Sequence, residues 1–301
     1  MLKRCKPRGF GNLFRVNWGK ADVNDRLLVL TCHHKDDPFI NISKELFFPV
    51  QAGAALSSQD LGIAKDNDGT HISEKNPYYS ELTALYWAWK NTSSDYVGLM
   101  HYRQFFSNDR PLGFEAKNIA RHVQNFVKNR VFRTTPYYSR QRVYYIPSFS
   151  HAEGLARDFR AYLDQNIDKY DVFVPRKIYL YGVNVRQHYA LYHNNDDLDV
   201  FERILKERHP ELGQAHDEVM TGNWMYTYNM FITNRQIFDE YCAVLFDILF
   251  EMEKVIDIKA KTDYQKRIFG FISERFLNIY LRDLERKGKR LKELSTYFIN
   301  A

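Results

Sequence analysis

An α/β fold, a sheet flanked by helices, is predicted by three features of this 301-residue sequence. Short, largely apolar runs recur at 26–32, 96–100 and 170–174, the pattern of strands covered on both faces. Other stretches repeat their apolar residues at helical spacing, as Leu82, Leu85, Tyr86 and Trp89 do. Polar residues crowd the points where the strand-like runs end, and open α/β sheets bind ligands outside the carboxyl ends of their strands. No internal repeat or low-complexity linker divides the chain. One domain is therefore expected over 26–301, behind an N-terminal arm at 1–25 and interrupted by an insertion at about 107–170.

The arm is polar and basic (Lys3, Arg4, Lys6, Arg8), and no apolar segment follows it, so no signal peptide is expected. The first buried strand, 26–32, runs into His33, His34, Lys35, Asp36 and Asp37. Adjacent histidines on a strand point to opposite faces, which argues against a shared metal ion. His33 and Lys35 are candidates to line a phosphate pocket, and plain exposure is the alternative. A second strand and turn are expected at 47–54, then a polar turn holding Asp66 and Asp68. These carboxylates are candidates to meet a ribose or base, against the simpler reading of an Asx turn.

The stretch 76–106 is the most informative. Asn76 is a good helix cap and Pro77 fits the first helical position, so a helix is predicted to run on to Asn91. The buried strand 96–100 then delivers His101, Tyr102 and Arg103 at its tip. The insertion is basic and aromatic: from Ala116 to Ala152 there is no acidic residue, and arginines and lysines alternate with Phe and Tyr. Such a surface suits anionic lipid headgroups or single-stranded nucleic acid, or is simply solvated. A strand at 170–175, helices within 183–212, a strand at 226–233 and two long helices near 237–252 and 264–284 complete the expected elements, making the C-terminal part helical. The tail from Arg286 to Lys292 reads as basic and polar.

Composition narrows the function classes. Hydrophobic content of 45% supports a full core, and 16% aromatic residues exceed the usual share. A net charge of +6 suits polyanionic ligands without choosing among them. Cys5, Cys32 and Cys242 lie far apart, with no zinc spacing or disulfide framework, so a reducing cytoplasmic setting is expected. No stretch is long and apolar enough to span a membrane.

Four blocks then carry a resemblance. They are ISEKNPYYSELTALYWAWKN from Ile72, GLMHYR from Gly98, YNMFI from Tyr228 and YQKRIFGFISER from Tyr264. In this order they resemble the domain-of-unknown-function 4422 family of bacterial capsular and exopolysaccharide glycosyltransferases, over most of 26–284. That family usually has two arginines after His-Tyr, whereas the second position here is Gln104, and the 107–170 segment is longer than the resemblance leads one to expect.

The resemblance implies a GT-A-like, Rossmann-type sheet binding a nucleotide sugar, with a UDP-sugar as donor and galactose or galactofuranose among the hexoses. It implies a growing glycan, carried on a lipid, as acceptor. His101, Tyr102 and Arg103 stand where typical GT-A enzymes place a metal-binding Asp-x-Asp. Donor binding is therefore expected from His101, Tyr102, Arg103, His33, Lys35, Asp66, Asn76 and Glu81, without a cofactor, although a divalent metal stays open. Fixed cationic donors can stabilise a departing diphosphate as an ion does. Asp217 is the expected base for an inverting transfer, followed by Glu218 and Asp171, and His101 can donate to the phosphates. Asn229 and Tyr228 are the expected acceptor contacts. The basic insertion would rest on anionic inner-leaflet lipid, and nucleic acid is not the expected partner. A single-stranded nucleic-acid-binding protein and a non-catalytic assembly partner are the alternatives from other classes.

Overall fold

The computed structural model describes residues 26–37, 39–109, 120, 123–124, 127–128, 137–138, 143–146 and 149–299. Most of the 116–152 stretch, and with it the expected lipid-facing surface, lies outside them.

Four parallel strands form one half of the main sheet: β1 (Leu27–His33), β2 (Phe48–Gln51), β3 (Ala64–Lys65) and β4 (Tyr96–His101). They lie in the order β3-β2-β1-β4. The hairpin strand β5 (Gln104–Ser107) turns back from β4 through a His101–Gln104 pairing. Two short strands from different sheets, β6 (Tyr137–Tyr138) and β7 (Val143–Ile146), follow, then β8 (Val172–Pro175) and β9 (Ile178–Tyr181). Next come β10 (Trp224–Met225), β11 (Phe231–Asn234) and β12 (Leu291–Ile299). β11 runs antiparallel to both β4 and β8. β12 starts beside β8 and ends between β5 and β7. β10, β9 and β6 make a separate small sheet.

Helices cover both faces. The first is α1 (Phe39–Leu46). A single turn, α2 (Asn76–Tyr79), leads into α3 (Leu82–Asn91). Then follow α4 (Phe149–Asn166), α5 (Val185–Tyr192), α6 (Asn195–Arg208) and α7 (Gly213–Thr221). The last two are long, α8 (Arg235–Val255) and α9 (Ile268–Arg286). The period-2 alternation of strand side chains divides the core. Leu28, Leu30, Val97, Leu99 and Phe231 join the helices α3 and α5–α9 on one face. Leu27, Val29, Met100 and Ile232 join α1 and α4 on the other. Full burial of each such side chain contributes about 1.5–3 kcal/mol. Cys32 and Cys242 are buried, unpaired thiols, as their apolar settings predict. Among the described residues, no helix is long and apolar enough to cross a membrane.

Three elements differ from expectation. The helix predicted over 76–91 is broken at Ser80, whose φ is 52°. Lys75 precedes the first turn, and Asn76 lies inside it rather than capping it. The Asn76 amide donates to the Ser80 carbonyl at 2.8 Å and to the Thr83 hydroxyl at 3.2 Å, holding the break. The strand predicted over 226–233 is confined to Phe231–Asn234. Before it, Tyr228 turns to a φ of 66°, which no strand accommodates. The polar tail leads into β12, a strand of nine residues, so the C-terminal part is not wholly helical. α4, which falls within the expected insertion, packs Ala152, Ala156, Phe159 and Leu163 into the second core.

Candidate functional site

The tip of β4 opens into a pocket of about 420 Å³. His101, Tyr102, Arg103 and Gln104 line it from the β4–β5 hairpin, Phe298 from β12, Glu81 from the break before α3, and Tyr228 from the loop before β11. Arg267, Gly270, Phe271 and Glu274 line it from the start of α9. Arg267, Phe271 and Glu274 follow helical spacing and share one face.

Each wall is fixed by identifiable contacts. His101 ends β4 with its ring edge-on to Tyr228 at 5.7 Å. Its Nε2 is buried and has no hydrogen-bond partner. A buried unpaired ring nitrogen costs stability, and it is a group ready for a ligand. The Arg103 guanidinium lies 5.0 Å from the centre of the Tyr102 ring, and His34 packs edge-on against that ring at 5.0 Å. Burial first, and then the Lys35 charge, push the His34 imidazole below its usual value. Arg267 donates to the Ser80 hydroxyl at 3.3 Å.

The loop carrying Tyr228 is anchored from α9. The Tyr226 amide donates to Asn278 Oδ1 at 2.6 Å, and Asn278 Nδ2 donates to the Tyr226 carbonyl at 2.8 Å. That reciprocal pair stands in for a strand partner where β10 has ended. Asn229 is buried, and its amide donates to Glu81 Oε1 at 2.6 Å. Asn229 Oδ1 is a second buried atom without a partner.

Glu274 is a candidate acid–base group of the pocket, which Glu81 also lines. Burial raises its carboxyl above the ordinary range, and the nearby Glu81 charge adds to this. Arg275, the Tyr228 backbone amide and Arg267 pull in the opposite direction. Arg275 is 2% exposed and donates to Glu274 Oε2 at 3.0 Å. A carboxyl tuned upward in a cleft is a candidate proton acceptor.

The sequence-predicted residues divide sharply. His101, Tyr102, Arg103, Glu81 and Tyr228 meet in the pocket, and Asn229 stands just behind it on Glu81. Asp217 and Glu218 line no part of it and sit on α7, not in a turn. Asp217 is 68% exposed and takes a 2.8 Å bond from His216, which holds its carboxyl below the usual range. Glu218 is lowered likewise, by Arg282. Both are weakened as bases. Asp171 accepts the Arg290 amide at 2.7 Å and ties β8 to the start of β12.

His33 is fully buried between Asp37 at 2.8 Å and Thr31 at 3.1 Å, and Lys35 is exposed. Asp66 is fully buried, and its oxygens accept from the Gly53 and Ala54 amides and the Ser73 hydroxyl. It braces a turn instead of facing a ligand. Asn76 holds the helix break. Sequence reasoning missed Arg267 and Glu274, whose shared stripe with Phe271 was the available signal. No group of three or more His, Cys, Asp or Glu among the described residues is arranged to hold a metal ion.

The fold and pocket define an α/β protein with a cleft at the carboxyl end of a central strand, lined by both guanidinium groups and carboxylates. The family profile described as domain of unknown function (DUF4422) matches residues 28–286, and the chain belongs to that family. Among solved structures, the chain is similar to the apo structure of the bifunctional glycosyltransferase WbbM, at 28% identity with a TM-score of 0.77. The match covers 92% of this chain and 46% of that one, so this chain spans about half of the bifunctional protein. No curated protein matches the sequence.

Proposed function

We propose that the chain is a GT-A-like glycosyltransferase that moves a hexose, galactose or galactofuranose, from a UDP-sugar to a growing surface glycan, with inversion and without a metal. The observation that carries this reading is the meeting of Arg103 and Arg267 in one pocket with Glu274. Neither arginine has a carboxylate within ion-pair distance among the described residues, so both are available to an anionic ligand. The donor pyrophosphate would lie between them and accept a hydrogen bond from His101 Nε2. The acceptor hydroxyl oxygen bonds to the anomeric carbon as the carbon–oxygen bond to UDP breaks. Its proton passes to Glu274, and the bond electrons leave on the UDP phosphate, whose charge the guanidinium groups stabilise. The similarity to a glycosyltransferase structure supports the reaction class.

Calorimetric titration with UDP tests the donor side. Arg103→Ala should weaken UDP binding about 10- to 100-fold, the loss of ~1.5–3 kcal/mol expected for a charged hydrogen bond. Unchanged affinity in that variant would remove the pyrophosphate from this position. Turnover of UDP-galactose should persist in EDTA; activity that disappears there and returns with manganese would overturn the metal-free part.

A further inference from the structure

The pocket wall continues outward into an aromatic surface. Phe271, which lines the pocket, also carries His193, stacked at 4.0 Å with planes 25° apart. Tyr264 packs against Phe271 at 5.1 Å, and its ring lies within 12° of parallel to that of His193. The three rings come from separate elements: His193 ends α5, Tyr264 opens the turn before α9, and Phe271 lies in the first turn of α9. Contacts among themselves therefore fix them as a unit. Tyr264 is nevertheless 52% exposed. A large ring held rigidly in solvent forgoes hydrophobic stabilisation that a covering ligand would supply.

Position and chemistry choose the ligand. The Arg267 guanidinium lies 5.8 Å from the Phe271 ring. Tyr264 is not among the residues that line the pocket, so its exposed ring extends the Phe271 wall beyond it. Burial, helped by Arg275 and His188, holds His193 down to about 3, so its ring is uncharged near neutrality. An uncharged aromatic face with a phenolic hydroxyl at its edge suits a sugar ring, which offers a face of C–H bonds and a rim of hydroxyls.

We propose that Tyr264, Phe271 and His193 form an acceptor subsite that seats a sugar ring of the glycan beyond the one bearing the reacting hydroxyl. The proposal rests on the glycosyl-transfer reading and adds where the acceptor lies. It predicts that the enzyme binds a disaccharide better than a monosaccharide. The Tyr228–Asn229 side of the pocket would then meet the reacting sugar.

Saturation-transfer NMR on the full chain with saturating UDP, using methyl β-galactopyranoside and methyl β-lactoside, tests this. The lactoside should bind more tightly than the monosaccharide. Tyr264→Ala should weaken the lactoside about tenfold, as loss of one stacked ring would. Tyr264→Phe, which keeps the ring, should retain binding, and UDP affinity should stay unchanged in both. Lactoside binding indifferent to Tyr264→Ala, or no glycoside binding while UDP binds, overturns the subsite. A fall in UDP affinity in Tyr264→Ala would assign the shelf to the uracil base and equally overturn it. If wild-type protein ignores UDP, the donor reading falls and this subsite with it.

Discussion

Glu274 is a carboxyl that α9 could have turned to solvent and instead turns into the cleft, beside Glu81 and the backbone amide of Tyr228. The role of base proposed for it has a signed consequence. Turnover requires the ionised form, and burial raises the carboxyl. The rising limb of kcat against pH should therefore lie above the ordinary carboxylate range. Arg275 stabilises the ionised form, so Arg275→Met should move the limb to still higher pH. Glu81 destabilises it, so Glu81→Gln should move the limb down. Opposite displacements in the two variants identify the group, whereas a limb that stays in place in both excludes Glu274. Glu274→Gln should lower kcat about 10²- to 10⁴-fold, the usual contribution of a positioned base, and leave UDP affinity intact. The cationic tip of the site was legible in the sequence because His101, Tyr102 and Arg103 directly follow an apolar strand. Glu274 was not, because a Glu-Arg pair within an amphipathic helix looks like a surface ion pair until the fold buries its arginine.

At the scale of elements, the site depends on two places where regular structure stops. The break at Ser80 brings Glu81 to the cleft, and the turn at Tyr228 does the same for its own ring. Neither was visible beforehand. Asn76 and Pro77 form a plausible helix start, and nothing local distinguishes a helix from a helix interrupted after one turn. The break is fixed from a distance: buried Tyr79 donates to Glu253 on α8 at 3.0 Å, and Lys75 reaches the same carboxylate at 2.6 Å. The strands were more legible, because apolar runs declare themselves without knowledge of their neighbours. Gly98 shows how closely they fit. A Cβ at this position would meet Ile232 Cγ1 at 2.5 Å and the Phe231 carbonyl at 3.0 Å, across the β4–β11 pairing. Ile232 can rotate, but the carbonyl cannot retreat without moving β11. Gly98→Ala should therefore lower stability by about 1–3 kcal/mol, as overpacking does, read as an earlier midpoint in urea. Unchanged stability would mean the two strands are less tightly apposed.

At the scale of the molecule, the helical layer over the first core contains a polar knot between α5 and α9. Arg275 donates to Glu274 and contacts His188 Nδ1 at 3.2 Å, and His193 stands close by against Tyr189, Phe271 and Tyr264. Burial first, then the Arg275 charge, lower His188 to about 4 and His193 to about 3, from an ordinary 6.5. The sign follows from linkage. Below pH 6.5 the unfolded chain takes up protons at these histidines that the folded chain refuses. Their contribution to stability is thus fully present above that pH, and it is lost as pH falls towards 4 and then 3. Carboxylates elsewhere also respond to acid, so the melting temperature of the wild type alone cannot isolate the effect. A comparison with His193→Phe can, because the substituted ring still stacks on Phe271 and no longer titrates. The melting temperature of the variant relative to wild type should rise steadily as pH is lowered from about 6.5 to 4. Among the described residues, Arg275 and His188 are the charge partners of this histidine, and Tyr189, Tyr264 and Phe271 pack on its ring. Glu274, bonded to Arg275 and raised above the ordinary carboxylate range, is present in both proteins, so its titration is common to them. A constant difference between variant and wild type across that interval would show that His193 accepts its proton in the folded state, and that the knot is open to water.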